Sequence, residues 1–158
     1  MAIKNSGQNA AWMLALDDQL HAAVGERELI HLIETPTLLE TPLSPYYCRQ
    51  VVLWNHLLLP ALDLSAWLWG RPQTTNHDWK LAGVVAYQTV PGATPDYGAL
   101  LLMGVPQRLR VADTQACPLP KNPSGWRELA LSCFRQGENA IPILDLPHLF
   151  TGGLLTYR

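Results

Sequence analysis

Short apolar runs broken by turn-forming residues recur from Trp12 to Phe150, a spacing that predicts strands rather than long helices. Trp12 to Leu16 reads as a first strand, turned by Asp17-Asp18. Leu20 to Val24 and Arg27 to Ile33 follow as the second and third, interrupted near Gly25. Thr35-Pro36 and Thr41-Pro42-Leu43-Ser44-Pro45 hold the backbone extended, because proline fixes its own φ and restricts the residue before it. Tyr46 to Leu53 and Leu57 to Leu62 pair as a hairpin around Trp54-Asn55-His56. Pro60 has no N–H to give to a ladder, so its strand is expected at an edge or with a bulge. Beyond the polar stretch 71–80, strands are expected over Leu81 to Tyr87, Ala99 to Val105 and Gln107 to Val111, with an exposed turn over Val90 to Gly98. Trp126 to Arg135 and Ala140 to Leu144 form a last hairpin, turning at 136–139.

One phrase occurs twice. Leu59-Pro60-Ala61-Leu62-Asp63-Leu64 returns as Ile141-Pro142-Ile143-Leu144-Asp145-Leu146, with the prolines 82 residues apart in a chain of 158. Each copy ends a strand and leads into a short helix, Ser65 to Trp69 and Pro147 to Phe150. Asp63 and Asp145 are placed as N-caps, where a carboxylate accepts from the free N–H groups of the first turn. Gly70 and Pro72 stop the first helix; Pro147 is tolerated at the start of the second. The repeat divides the chain into similar units: an all-β domain over 12–150, with a first barrel mainly over 20–70 and a second mainly over 81–150. Residues 1–11 and 151–158 are left as loose tails. Two half-sized barrels are each marginal, so their mutual interface should be apolar.

Composition narrows the function. Hydrophobic residues make up 48% of the chain but charged ones only 15%, against about 25% in ordinary globular domains. Apolar surface therefore has to remain exposed, and such surface marks a partner interface. Net charge is −2 and the basic residues are dispersed, which argues against nucleic acid as a partner. The longest apolar stretch, Val51 to Trp69, contains Asn55, His56, Pro60 and Asp63 and makes no membrane span. Three dispersed cysteines, Cys48, Cys117 and Cys133, fit a reducing, cytoplasmic setting and inert thiols.

Chemistry-bearing motifs are missing from the sequence. It holds no G-x-S-x-G, no phosphate loop and no dinucleotide fingerprint, and its five histidines have no ligand-like spacing. No catalytic, metal or cofactor residue is assigned. Asp63 and Asp145 as paired acid–base carboxylates would have to converge on one cleft, and equivalent caps explain them better. The interface candidates are aromatic. They are Trp54-Asn55-His56, a turn with no evident folding purpose, and Trp67 and Trp69, two residues apart on the first helix and so on different faces. Each tryptophan also has a packing explanation.

In order, these segments resemble the CheW-like chemotaxis adaptor family. Arg27-Glu28-Leu29-Ile30 is similar to its V-x-E-[I/V]-[I/L] strand. Thr41 to Tyr47, Val51 to Leu53 and Leu59 to Leu64 are similar to its proline link, apolar strand and [I/L]-P-[V/A]-[I/L]-D-L. Tyr97 to Val111 and Ala140 to Leu149 resemble the G-L-L-V-D-x-V pair and the closing [I/L]-L-L-D-L-x-x-L. The resemblance implies two five-stranded SH3-like barrel subdomains with short helices. It further implies a non-catalytic, cytoplasmic adaptor coupling chemoreceptor signalling tips to a CheA-type histidine kinase, including in systems that control type IV pilus motility. Two departures stand out. The family's N-L-R-G turn reads Leu53-Trp54-Asn55-His56, and the aspartate of V-D-x-V is absent from Leu102-Met103-Gly104-Val105. A small-molecule or enzymatic barrel using the Trp/Tyr-rich seam, and a self-associating scaffold, are the alternatives.

Overall fold

The computed structural model describes residues 8–42, 44–70 and 81–151. It has eleven strands in chain order: β1 (Gln8–Ala15), β2 (His21–Gly25), β3 (Leu29–Glu34), β4 (Leu38–Glu40), β5 (Gln50–Trp54), β6 (Leu57–Leu62), β7 (Leu81–Tyr87), β8 (Asp96–Leu102), β9 (Gln107–Ala112), β10 (Ala130–Gln136) and β11 (Asn139–Leu144). Among the described residues, three short α-helices join them, α1 (Leu64–Trp69), α2 (Trp126–Leu129) and α3 (Leu146–Thr151), with single 3-10 turns at Tyr46–Cys48 and Asp113–Gln115. The strands make two curled sheets, ordered β10-β11-β2-β1-β9 and β3-β7-β8-β6-β5-β4.

The sheets do not follow the division expected at 71–80, a stretch outside the described residues. Each is built on a hairpin, β1–β2 or β7–β8, and each is completed by strands from the other half of the chain. β3 leaves the first hairpin and pairs with β7, while β9 leaves the second and pairs with β1. Sequence neighbours thus end up in different sheets, which local hydrophobic pattern does not encode. The first tail is also shorter than expected, because β1 starts at Gln8 rather than Trp12. β4 makes one sheet six-stranded rather than five. Gly98 is a buried residue of β8 rather than part of an exposed turn. Trp126 to Leu129 is helical, so the last hairpin begins at Ala130.

The repeated phrase joins the pieces. β6 pairs with β5 antiparallel and with β8 in parallel, Ala61 opposite Ala99. β11 pairs with β10 antiparallel and with β2 in parallel, Ile143 opposite Ala23. Pro60 sits neither on an edge strand nor at a bulge, contrary to expectation, and Pro142 is likewise on an internal strand. Each stands one residue before its parallel pairing begins, where a missing N–H is tolerated. The following aspartates match atom for atom. The Asp63 N–H donates to the Tyr47 carbonyl at 2.8 Å and the Asp145 N–H to the Leu129 carbonyl at 2.8 Å. Asp63 Oδ1 accepts from the Ala66 N–H at 3.0 Å, and Asp145 Oδ1 from the His148 N–H at 3.3 Å. Gly70 closes α1 at φ 76°, in the left-handed region that suits glycine.

Most of the core lies between the sheets. Leu14, Leu16 and Val24 of the first hairpin meet Leu81, Val85, Leu100 and Leu102 of the second, roofed by residues such as Leu64, Trp67, Leu146 and Phe150. Alternate residues of the same strands fill the sheet interiors: Ala82, Val84, Ala99 and Leu101 in one, Ala11 and Ala23 in the other. β7 and β8 are apolar on both faces because each face has a core behind it. The main core is therefore an apolar interface between the two sheets, each of which mixes strands from both halves of the chain.

Candidate interaction surface

β5 and β6 carry the same two-faced apolar pattern as β7 and β8, but one of their faces lacks cover. Register places Leu39 opposite Val51, Val51 opposite Pro60, and Leu53 opposite Leu58. Directly opposed residues share a face, as do residues two apart. These five therefore share one side of the sheet, while Val52, Leu59 and Ala61 point into the sheet interior. On the outer side Leu39, Leu53 and Leu58 are 45%, 48% and 59% exposed. The signal was present in the sequence: Leu57-Leu58-Leu59 breaks polar alternation, and a strand apolar on both faces needs something against each.

The Trp54-Asn55-His56 turn closes this hairpin. Asn55 (φ 53°) and His56 (φ 66°) are both left-handed, the backbone that a two-residue turn needs to match strand twist. Asparagine suits that conformation; histidine in place of glycine costs about 1 kcal/mol. Both side chains are exposed. Trp54 is not: it is half-buried against its own sheet, its ring 6.0 Å from that of His31 and 5.7 Å from that of Tyr97. The turn therefore offers Asn55 and His56 beside the leucine face, with Trp54 as their support.

The helix tryptophans are placed differently. Trp67 is buried in the main core, where its ring passes so close to Gly125 that a Cβ there would lie 2.5 Å from it. That ring has no surface for a partner. Trp69 is half-buried, and its Nε1–H donates to Asp17 Oδ2 at 2.9 Å. Both side chains fasten α1 to the molecule.

Asp17, read from the sequence only as a turn, gathers four hydrogen bonds. Ser65 Oγ donates at 2.6 Å beside Trp69, and the backbone N–H groups of Gln19 and Leu20 donate at 2.7 Å each. Partial burial pushes this carboxyl up, yet the four donors outweigh it and hold the group below its usual range. The β1–β2 turn is thereby tied to α1, which belongs to the other sheet.

A second apolar surface lies between the sheets. Trp12 of β1, Leu29 to Leu32 of β3 and Val105-Pro106 line a cleft of about 300 Å³. Val105 is 70% exposed there. A polar cleft of about 330 Å³ lies elsewhere, lined by Gln19, His21, Asn122, Trp126 and Glu138 among others. Among the described residues, no group of three or more His, Cys, Asp or Glu side chains is placed to hold a metal ion. Asp63 and Asp145 are each engaged at the start of their own helix. Among the described residues, no helix is long and apolar enough to cross a membrane.

Comparison with solved structures gives the architecture a counterpart. The scaffolding protein TtCheW from Thermoanaerobacter tengcongensis superposes with a TM-score of 0.67, covering 94% of this chain and 99% of that one at 12% identity. The chain has the CheW-like fold. No protein-family model and no curated protein matches the sequence. The likeness to CheW thus lies in the path of the chain rather than in retained residues, and the departures at Asn55 and His56 fall at the tip of the hairpin that bears the exposed Leu53 and Leu58.

Proposed function

We propose that this protein is a non-catalytic chemosensory adaptor that couples receptor signalling tips to a CheA-type histidine kinase. The observation that carries the reading is a CheW-like fold along nearly the whole chain, bearing two separate exposed apolar surfaces. A coupling protein needs two such surfaces, one for each partner. The first is the Leu39, Leu53 and Leu58 face with its Asn55-His56 tip; the second is the cleft beside Ile30 and Val105. Replacement of the family's arginine and glycine by Asn55 and His56 fits a partner surface particular to this chain. A cytoplasmic setting follows from the same role.

Pull-down with the CheA-type kinase and receptor signalling tip of the same organism tests this. Capture of both supports it; capture of neither, with a different stable partner recovered, overturns it. Leu53→Asp combined with Leu58→Asp should weaken one partner by about tenfold or more. Val105→Asp should weaken the other and leave the first unchanged. Loss of both partners in both variants would show that the two surfaces do not divide the work. Concentration-dependent mass by light scattering, abolished by Leu58→Asp, would assign the leucine face to self-association instead. A pilus regulator encoded beside this chain would place its output in surface motility.

A further inference from the structure

The segment after β9 crosses to the far edge of its sheet and lies along β10. Gln115 anchors it at both ends: Oε1 accepts from the Ala112 N–H at 2.8 Å, and Nε2 donates to the Arg135 carbonyl at 2.9 Å. Ala116 then forms an antiparallel bridge with Phe134. The Cys117 N–H donates to the Cys133 carbonyl at 3.1 Å. This register sets two cysteines directly opposite each other, with their Sγ atoms 3.5 Å apart. Opposed residues of an antiparallel pair have Cα atoms about 4.5–5.5 Å apart, inside the about 4.4–6.8 Å that a disulfide spans. Bonding then requires the sulfurs to close from 3.5 Å to about 2.05 Å. The equivalent pair in the other sheet is Leu39 opposite Val51, which has no such chemistry.

The two thiols differ in access. Cys133 is buried on β10, while Cys117 is half-buried at the rim. Burial, with the adjoining Cys117 thiol, pushes the Cys133 thiol up to about 12. Cys117 is therefore the sulfur an incoming reagent meets, and Cys133 reacts only from within the protein.

We propose that Cys117 and Cys133 form a redox-active dithiol that a low-molecular-weight disulfide converts to an intramolecular disulfide, stapling the 113–117 segment to β10. The Cys117 thiolate attacks one sulfur of the reagent, forming a mixed disulfide and expelling one thiolate. Cys133 gives up its proton and attacks the Cys117 sulfur, expelling the second thiolate. The protein loses two electrons and two protons, and the reagent is reduced to two thiols. Deprotonation of Cys133 limits the second step, so closure should accelerate as pH rises.

Oxidised glutathione, added to the folded full-length chain without denaturant, tests this. Free thiols should fall from three to one, the intact mass should drop by two hydrogens, and peptide mapping should link Cys117 to Cys133. Cys133→Ser should stop at a glutathione adduct on Cys117, and Cys117→Ser should leave Cys133 unreacted. The wild-type map needs no variant to fold. Three remaining thiols, a link involving Cys48, a dimer joined through Cys117, or a persistent adduct on Cys117 in the wild-type chain would each overturn the proposal.

Discussion

Phe150→Ala should lower the unfolding free energy by about 3–5 kcal/mol, the range for removing a fully packed aromatic ring. Phe150 is only 4% exposed and stacks on Tyr87 with ring centroids 5.4 Å apart and planes 11° from parallel. It reaches this position from α3, which follows a strand of the five-stranded sheet, and covers β7 and β8 of the other. One edge of its ring rests on Gly98. A Cβ built on Gly98 would lie 2.3 Å from the ring, closer than real atoms approach. Glycine is required there for space and not for its φ. Gly98→Ala should therefore cost about 1–3 kcal/mol by overpacking, since a stacked ring cannot simply swing away. The two substitutions share one space, so the double variant should fall short of additivity by about 1 kcal/mol or more. Urea unfolding with unchanged slope measures all three. Strict additivity would mean that the ring is not seated on Gly98.

The same residues show why the architecture was only partly legible in the sequence. Caps are local, so Asp63 and Asp145 could be placed from the repeat alone. So could the Trp54 to Leu57 turn, because strand pattern and turn length set its register. The exchange of β3 and β9 was hidden, because both strands pair with hairpins far away in the chain, Glu34 with Leu81 and Gln8 with Ala112, and a short strand does not advertise its partner. The parallel joints at Ala61 and Ile143 are equally silent. Two-faced apolar strands carried the opposite ambiguity. Leu81 to Val85 and Val51 to Leu53 look alike as text, yet one is buried on both faces and the other is bare on one. Only the position of the second sheet separates core from interaction surface. The cysteines follow the same rule: sixteen residues apart in sequence, they meet because Gln115 and Ala116 set a register that spacing does not reveal. The packing of the helix tryptophans was hidden for a related reason. Trp67 and Trp69 lie on different faces of α1, yet one is in the core and the other is held by Asp17 of the β1–β2 turn.

Asp17→Ala should destabilise the fold by about 2–4 kcal/mol at neutral pH, because it strips the acceptor from Ser65 and Trp69 together. Ser65 is 1% exposed, so water cannot replace the lost partner without opening the seam between α1 and the β1–β2 turn. Asp17→Asn should cost less. One side-chain oxygen can still accept, but the amide cannot accept for both donor pairs that the two carboxylate oxygens now serve. The charge gives these variants a pH signature. The folded protein holds the Asp17 carboxyl below its ordinary value of 3.8, so the folded state favours the ionised form more than the unfolded chain does. That contribution is fully present above the unfolded value and is lost as pH falls through the folded one. The stability gap between wild type and Asp17→Ala should therefore be widest near neutrality and narrow below about pH 4. Urea midpoints for the pair at neutral and acid pH measure it. A gap that stays constant into acid would assign the loss to packing and remove the carboxylate from the account. A gap that closes, with Asp17→Asn showing the weaker pH dependence of an uncharged side chain, would fix this half-buried anion as the clamp between two sheets that each mix strands from both halves of the chain.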